Sequence, residues 1–157
     1  MIMDTIDTAP SVRVLPTEFG APALNITLEE GLIGCEMWQH FTLEAPADTA
    51  PLMLLRSLDE PDISFIVCDP RAIESDYSLA LSDTEMDILG GPSADELAMF
   101  VIMNVKMIEN RTQVTVNLLG PVVVNLANRA ARQVINPDHL AHHPVGDLSH
   151  VSADAKA

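Results

Sequence analysis

The chain has 157 residues, a length that one domain with a sizeable hydrophobic core accommodates without disulfides or metal ions. Hydrophobic residues make up 48% of it, which argues against a largely disordered protein. Its 23 acidic side chains outnumber the 8 basic ones and give a formal net charge of −15, which argues against direct binding of nucleic acid.

The acidic residues are unevenly distributed along the chain. Residues 1–100 hold 19 of them against three arginines, whereas residues 101–157 hold four against five basic residues. One side of the fold is therefore expected to present a negative field to a basic partner. The alternative is that these charges serve solubility alone, and composition leaves both interpretations open.

Cysteine usage and hydropathy indicate the cellular compartment of the protein. Cys35 and Cys68 lie in apolar stretches without a C-x-x-C pattern, and no basic start followed by an apolar run opens the sequence. The longest apolar run, 97–108, is interrupted by Asn104 and Lys106 and is shorter than the roughly 18 residues of a membrane span. We expect a reduced, cytoplasmic protein that does not contact the membrane.

The predicted elements lie between two tails. Residues 1–16 are weakly patterned and residues 146–157 are small and polar, so the sequence predicts one domain at 17–145. Apolar and polar residues alternate over 24–28 and again over 41–43, which predicts half-buried strands early in that domain.

Three denser apolar runs follow, each bounded by proline, aspartate or glycine residues that end strands. They predict central strands at 52–55, 63–67 and 97–107. The segment from Glu109 to Arg111 then separates two strand-like runs and predicts a hairpin. Gly120-Pro121 marks a further break before another strand.

A short helix is predicted within this series of strands. Ser82 and Glu85 have the S-x-x-E spacing in which each side chain binds the other's backbone N–H, and Gly90-Gly91 would end the helix. Met86 and Leu89 would form its buried face. With about eight candidate strands and one or two short helices, the sequence predicts an all-β, mainly antiparallel domain, either barrel-like or a sandwich.

One segment suggests a metal site. His139 and His143 would share a helix face, with His142 beside them and Asp138 nearby. The H-E-x-x-H pattern is absent, and Pro144 would end such a helix directly after its second ligand. We interpret the segment as a solvated terminal segment and predict no metal site; a histidine–metal hydrolase is kept as a third alternative for the whole protein.

Motifs for covalent catalysis or phosphate binding are missing from the sequence. Cys35 and Cys68 have apolar neighbours that raise a thiol pKa, and there is no G-x-S-x-G, S-x-x-K or glycine-rich phosphate loop. Carboxylate pairs such as Asp83 and Asp87 arise by chance in so acidic a chain. We predict neither an enzyme nor a bound cofactor.

Two further patterns receive structural interpretations. Met99, Met103 and Met107 point to one side of a strand and are interpreted as core packing. Asn117 and Asn125 flank Gly120-Pro121 at strand positions where asparagine is unfavourable, so we interpret both as braces of that turn.

Several short motifs together resemble, in sequence order, the FliW family of flagellar assembly factors over roughly residues 17–145. Each motif alone is weak, and the specificity lies in their shared order. They are Thr17-Glu-Phe-Gly20, Ile26-Thr-Leu28 with Gly31-Leu-Ile-Gly34, Leu55-Arg-Ser57, Phe65-Ile-Val-Cys-Asp-Pro70, Asp76-Tyr77, Asn117-Leu-Leu-Gly-Pro121-Val-Val-Val-Asn125, and the stretch from Arg129 to Ile135.

The resemblance implies a β-barrel-like protein without catalytic activity that binds flagellin and, when free of it, binds the RNA-binding translational repressor CsrA. Exchange between these partners would couple the flagellin level to flagellin translation. The acidic bias suits a partner whose other ligand is RNA, since a negative neighbour raises the free-energy cost of bringing phosphate close. The rival hypothesis is a small-ligand-binding β-barrel whose aliphatic interior holds a lipid or a metabolite.

We assign the partner-binding surface to the acidic region from Asp59 to Asp76. The candidate contact residues follow a predicted central strand, in a loop of the kind where contact residues concentrate; they are Asp69, Glu74, Asp76 and Tyr77. A structural role is predicted instead for the glycine, proline and asparagine residues of the motifs, namely Gly31, Gly34, Asn117, Gly120, Pro121 and Asn125.

Overall fold

The computed structural model describes residues 23–49 and 51–145. Its strands are β1 (Leu24–Leu28), β2 (His40–Glu44), β3 (Met53–Ser57), β4 (Ser64–Cys68), β5 (Leu97–Ile108), β6 (Arg111–Val116), β7 (Val122–Asn125), β8 (Ala130–Gln133) and β9 (His143–Pro144). A short helix α1 (Asp83–Ile88) lies between β4 and β5, and single 3₁₀ turns occur at Ala47–Thr49, Pro70–Ala72 and Ala94–Glu96. The predicted tails and the Thr17-Glu-Phe-Gly20 motif lie outside the described residues.

Seven of these strands close into a barrel. Their order is β4, β3, β2, β1, β8, β7 and β5, and β5 pairs back onto β4, with Ile66 opposite Met103. Neighbouring strands are antiparallel except β1 and β8, which run parallel with Thr27 opposite Ala130. Closure pairs both edges of a sheet that would otherwise be open. The prediction of a mainly antiparallel all-β domain is confirmed, and of the two architectures it allowed the barrel is the one observed.

Two cores follow from the alternation of side chains along the strands. In the first half of β5, Ala98 and Phe100 point into the barrel, whereas Met99 and Val101 point to its outer face. The barrel interior is filled by aliphatic and aromatic side chains, among them Leu28, Phe41, Leu43, Leu55 and Phe100, all 0% exposed. The outer core is covered by the segment that leads into α1, through Tyr77, Leu79 and Leu81, and by Leu89 directly after the helix.

Helix α1 begins and ends as the sequence predicts. The Ser82 hydroxyl accepts from the Glu85 N–H at 3.1 Å, and the Glu85 carboxylate accepts from the Ser82 N–H at 3.0 Å. Leu89 is completely buried and Met86 packs half-buried against the outer core. Gly90 then adopts a φ of 92°, a conformation that glycine tolerates and that ends the helix.

Strands β6 and β7 lie one after the other along the same edge of β5. Met103 faces Val116 and Phe100 faces Val122, so two residues of β5 stand opposite the five residues 117–121. The segment containing Gly120-Pro121 is therefore a wide bulge within a nearly continuous edge, and not a turn between two opposed strands.

The end of β5 departs from the expected core packing. The hairpin is present, but its turn has two residues, Glu109 and Asn110, with φ values of 52° and 64°, as a type I′ turn requires. Met99 and Met103 are buried, whereas Met107 is 69% exposed. The interpretation of Met107 as a core residue is wrong because β5 continues past the last residue that another layer covers.

Candidate functional site

The loop after β4 holds the four predicted contact residues. Asp69 caps the 3₁₀ turn Pro70–Ala72, where its carboxylate accepts from the Arg71 N–H at 2.8 Å. Glu74 is half-buried and Asp76 is exposed. Asp76 is therefore the most accessible carboxylate of this group.

Tyr77 belongs to the core and not to the surface, which corrects its expected position. It is 1% exposed, and its hydroxyl donates to the Leu118 carbonyl at 2.7 Å. Burial raises the pKa of Tyr77 to about 12, and a hydrogen bond with the Asn136 side chain opposes that rise. Tyr77 thus fastens the outer layer to the bulge between β6 and β7.

The acidic region assigned from the sequence is divided by β4. Asp59, Glu60 and Asp62 precede this strand, and Asp69 follows it. A strand rises about 3.3 Å per residue, so Asp62 and Asp69 lie roughly 20 Å apart at opposite ends of the barrel wall. One continuous acidic surface from Asp59 to Asp76 is therefore not present.

Asp59 connects the β3–β4 turn to the start of β2. One of its carboxylate oxygens accepts from the backbone N–H groups of Gln39 and His40, at 2.7 and 2.9 Å, and the other lies 3.1 Å from the His40 ring. The backbone hydrogen bond from His40, then that from Gln39, lowers the Asp59 pKa. This role of Asp59 is not predictable from the sequence, because no local pattern relates an aspartate to backbone groups about 20 positions earlier.

The β1–β2 connection contains the Gly31-Leu-Ile-Gly34 motif as a tight, anchored loop. Gly31 has a φ of 70°, and a Cβ there would lie 2.5 Å from the Cα of Glu36. Gly34 has a φ of 91°, and its N–H donates to the Glu36 carboxylate, which lowers the Glu36 pKa. The backbone conformation of this loop thus accounts for both glycines.

A cleft of about 390 Å³ lies between this loop, β8 and the end of α1. The guanidinium of Arg132 approaches the Glu30 carboxylate to 2.7 Å, while its Nε is buried without a hydrogen-bond partner among the described residues. Ile33 and Ile88 form apolar parts of the wall. The contact is an ion pair by distance, without good hydrogen-bond direction.

Gln133 joins the Gly31-Leu-Ile-Gly34 loop to the bulge. Its side-chain oxygen accepts from the Ile33 N–H at 2.7 Å, and its side-chain nitrogen donates to the Gly120 carbonyl at 2.8 Å. The Asn117 side chain accepts from the Gly120 N–H at 2.9 Å, so it holds the bulge in place. The sequence shows the motif that contains Gln133. It does not show that this side chain bonds to the backbone of Ile33 and Gly120, which lie far from it along the chain.

Asn125 does not brace this segment, which corrects its predicted role. Its side chain donates to the Leu89 carbonyl at 2.6 Å and accepts from the Ala127 N–H at 2.9 Å. Pro121 is buried at the start of β7, and its carbonyl accepts from the Val134 N–H. Asn125 therefore ties the end of β7 to the end of α1.

The cysteine and histidine residues that were considered as catalytic or metal-binding groups do not come together in one site within the described residues. Burial, and then the charge of Asp69, raises the pKa of the Cys68 thiol to about 12, while Cys35 is half-buried in the β1–β2 connection. The His139 ring lies 4.5 Å from the Tyr77 ring. Within residues 23–49 and 51–145, no three histidine, cysteine or carboxylate side chains converge as metal ligands would. The same residues contain no helix long and apolar enough to cross a membrane.

Comparison with known proteins identifies the family. The family model described as FliW protein matches residues 13–145. The chain belongs to the FliW family. Its relatives include the flagellar assembly factor FliW of Treponema pallidum, 38% identical over 109 residues that cover 69% of this chain and 71% of that protein. The flagellar assembly factor FliW of Caldanaerobacter subterraneus is 32% identical over 123 residues, covering 76% and 81% of the two chains.

The fold agrees with a solved structure of a FliW protein. A crystal structure of the flagellar assembly factor FliW superimposes with a TM-score of 0.64 at 23% identity, and the match covers 76% of this chain and 82% of that one. Those motifs of the FliW resemblance that lie within residues 23–49 and 51–145 build the barrel and its anchored loops. They therefore specify the scaffold, and the contact surface has to be found from exposure and charge.

Proposed function

We propose that this protein is a non-enzymatic, cytoplasmic regulator of flagellar assembly that binds flagellin and antagonises a CsrA-type translational repressor. When flagellin is abundant it occupies the protein; when flagellin is exported, the free protein binds the repressor and relieves its inhibition of flagellin translation. Membership of the FliW family, whose named relatives are flagellar assembly factors, is the observation that carries this proposal.

The charge of the molecule supports a basic, RNA-binding partner. The net charge is −15, and exposed carboxylates such as Glu60 and Asp62 lie on the connections between strands. An acidic protein bound beside an RNA site raises the free-energy cost of bringing phosphate to that site, so antagonism does not require occupation of the RNA surface itself. Direct binding of RNA by this protein is not part of the proposal.

The alternative of a small-ligand barrel has less support. The interior of the barrel is filled by its own side chains, among them Phe41 and Phe100 at 0% exposure. The described cleft of about 390 Å³ is instead bounded by Glu30, Arg132 and the β1–β2 connection. Native mass spectrometry of the purified protein tests this alternative, which predicts a copurified small molecule.

The experiment that tests the proposal uses the repressor and flagellin from the same cell. Each is mixed with the purified protein, and complexes are measured by gel filtration and calorimetry. The proposal predicts a complex with each partner, loss of the repressor complex when flagellin is added, and release of bound RNA from the repressor. If the protein forms a complex with neither partner, the proposal is contradicted.

The loop after β4 is a proposed contact region within this function. Asp76 is exposed, with Asp69 and Glu74 beside it in the same loop. If these carboxylates steer a basic partner, reversing the charge at Glu74 and Asp76 slows association and reduces its dependence on salt. Stopped-flow measurements at several salt concentrations give the association rate; an unchanged rate would remove the loop from the site.

A further inference from the structure

Three connections of the barrel meet at one end of the molecule. They are residues 29–39 between β1 and β2, residues 58–63 between β3 and β4, and the projecting part of the β5–β6 hairpin at 104–113. Asp59 joins the first two through the N–H groups of Gln39 and His40. The pairing of β4 with β5 places the second half of β5 beyond the start of β4, at the same end. We call these three segments the hairpin end.

Exposed apolar side chains concentrate at the hairpin end. Among the described residues, six of the ten large hydrophobic side chains that are exposed belong to it. The six are Ile33, Met37, Leu58, Val105, Met107 and Ile108, with exposures between 46% and 69%. Single exposed apolar residues are normal on a protein surface, but a concentration of them in one region is typical of a contact surface.

The hairpin projects beyond the strands that flank its base. Pairing of β5 with β4 ends at Met103, and pairing of β6 with β9 begins at Thr115. At about 3.4 Å per residue, the five residues from Asn104 to Ile108 extend roughly 17 Å past the covered part of the sheet. Both faces of this arm are therefore available for contact.

The same end is strongly acidic. Its three segments contain seven carboxylates but only the basic residues Lys106 and Arg111. Glu30 is paired with Arg132, and Glu36 and Asp59 accept backbone hydrogen bonds. The side chains that make no such contact within the described parts of the chain, and so face solvent with their charge available, include Glu29, Glu60 and Asp62.

We propose that the hairpin end is the docking surface for a basic, amphipathic segment of a protein partner. Apolar side chains of that segment would cover Met37 and Met107, while its lysine or arginine residues would face Glu60 and Asp62. Charge complementarity selects this occupant over a second copy of the chain, because two copies would bring like charges together. The proposal deepens the proposed function, since it names the surface that a basic partner of this protein uses.

A single tryptophan makes the proposal directly measurable. Trp38 is the one tryptophan of the chain, lies half-buried in the 29–39 segment, and has its ring 6.5 Å from the Phe65 ring. An amphipathic helical peptide of leucine and lysine, which contains no tryptophan, is titrated into the full-length protein while Trp38 fluorescence is recorded. A matched peptide with glutamate at every lysine position is the control ligand. We expect saturable binding of the lysine peptide alone, and weaker binding at high salt.

Two charge-reversal variants locate the binding surface. Glu60→Lys with Asp62→Lys alters the hairpin end, whereas Asp48→Lys with Asp95→Lys makes the same change in net charge at exposed residues before β3 and β5, at the opposite end of the barrel. The first variant is expected to bind the lysine peptide roughly tenfold more weakly or worse, and the second to bind within about twofold of the wild type. A third variant, Met37→Ser with Met107→Ser, is expected to weaken binding without changing its salt dependence.

The outcomes separate this inference from the proposed function. Failure of the lysine peptide to bind, equal binding of both peptides, or greater loss in the Asp48 and Asp95 variant overturns the assignment of the hairpin end. Circular dichroism of each variant shows whether a loss of binding reflects unfolding; if the Glu60 and Asp62 variant unfolds, Glu29→Gln with Glu60→Gln gives the same test with a smaller change. The mixing experiment with flagellin and the repressor is independent of all these results, and its failure would instead remove the proposed function.

Discussion

The two halves of β5 differ strongly in burial, although the sequence predicts a single apolar strand that includes both. From Leu97 to Met103 nearly every side chain is buried, alternately in the barrel and in the outer core. From Asn104 to Ile108 every side chain is exposed. The comparison shows that apolar periodicity predicts a strand and its faces, whereas the presence of a covering layer depends on the neighbouring elements.

The largest expected effect contrasts one residue from each half. Phe100→Ala removes a ring that is 0% exposed inside the barrel, so the free energy of unfolding should fall by about 3–5 kcal/mol. Met107→Ala, at a side chain that is 69% exposed, should change it by no more than about 0.5 kcal/mol. Urea denaturation followed by circular dichroism measures both values. Similar losses in the two variants would show that the hairpin is covered in solution.

A second substitution tests the attachment of the outer core to the bulge. Tyr77→Phe leaves the buried Leu118 carbonyl without the donor that now lies at 2.7 Å, which should lower the free energy of unfolding by about 1–3 kcal/mol. The same urea denaturation applies, with Met107→Ala as the control at the exposed hairpin. An unchanged unfolding midpoint in Tyr77→Phe would contradict the assignment of Tyr77 to the core.

Titration of the same tyrosine gives a prediction that needs no mutation. The chain has one tyrosine, and burial raises its pKa to about 12 from an ordinary value near 10. Because the folded-state pKa is the higher one, this contribution to stability is complete below about pH 10 and is lost as the pH rises towards about 12. Absorbance at the phenolate band should therefore change only near pH 12 while the protein stays folded. A midpoint near 10 would place Tyr77 in solvent.

Glycine substitutions compare two positions of one loop at the hairpin end. Gly34→Ala has open space for the new Cβ and adds mainly the cost of a positive φ, about 1–2 kcal/mol. Gly31→Ala adds the same cost, and its Cβ would also meet backbone atoms of Glu36 at 2.5 Å. We expect the Gly31 variant to be the less stable of the two by thermal unfolding. The reverse order would mean that the loop has another conformation.

The smallest expected effect is on stability at acidic pH, through the hydrogen bonds that the Asp59 carboxylate accepts from the backbone of Gln39 and His40. The Asp59 pKa is lowered by the backbone N–H groups of His40 and Gln39, so its contribution is complete above about pH 4 and is lost as the pH falls through the folded-state value. In Asp59→Asn this ionisation is absent, so the urea midpoint should depend less on pH between about 5 and 3 than that of the wild type. If the urea midpoints of the wild type and of Asp59→Asn depend equally on pH, the proposed contribution of the Asp59 hydrogen bonds is contradicted.

Local patterns in the sequence predicted most of the scaffold. The capping box of Ser82 and Glu85, the alternation along β1 and β2, the apolar runs of β3 and β4, and the hairpin after Ile108 all depend on residues close in sequence, and the structure contains each of them. The mainly antiparallel all-β class followed from the same signals. Closure of the barrel was beyond this reasoning, because the parallel pairing of β1 with β8 joins residues about 100 positions apart.

The candidate site was harder to predict for the same reason. Tyr77 was chosen as a contact residue because it follows a strand in a polar loop, but the chain turns back there and buries the ring in the outer core. Asp59 to Asp76 looked continuous in sequence, yet β4 separates its two parts. Exposure of Met107 and the position of three connections at one end are properties of the closed barrel, which no single segment encodes.

Hydrogen exchange, measured on the protein alone and in complex with the repressor or flagellin, shows which surface each partner covers. Binding is predicted to slow amide exchange in residues 29–39, 58–63 and 104–113, with little change in residues 93–97 at the opposite end of the barrel. Exchange in all three segments of the hairpin end that is as fast as in the free protein, while either partner is bound, would contradict the assignment of this surface.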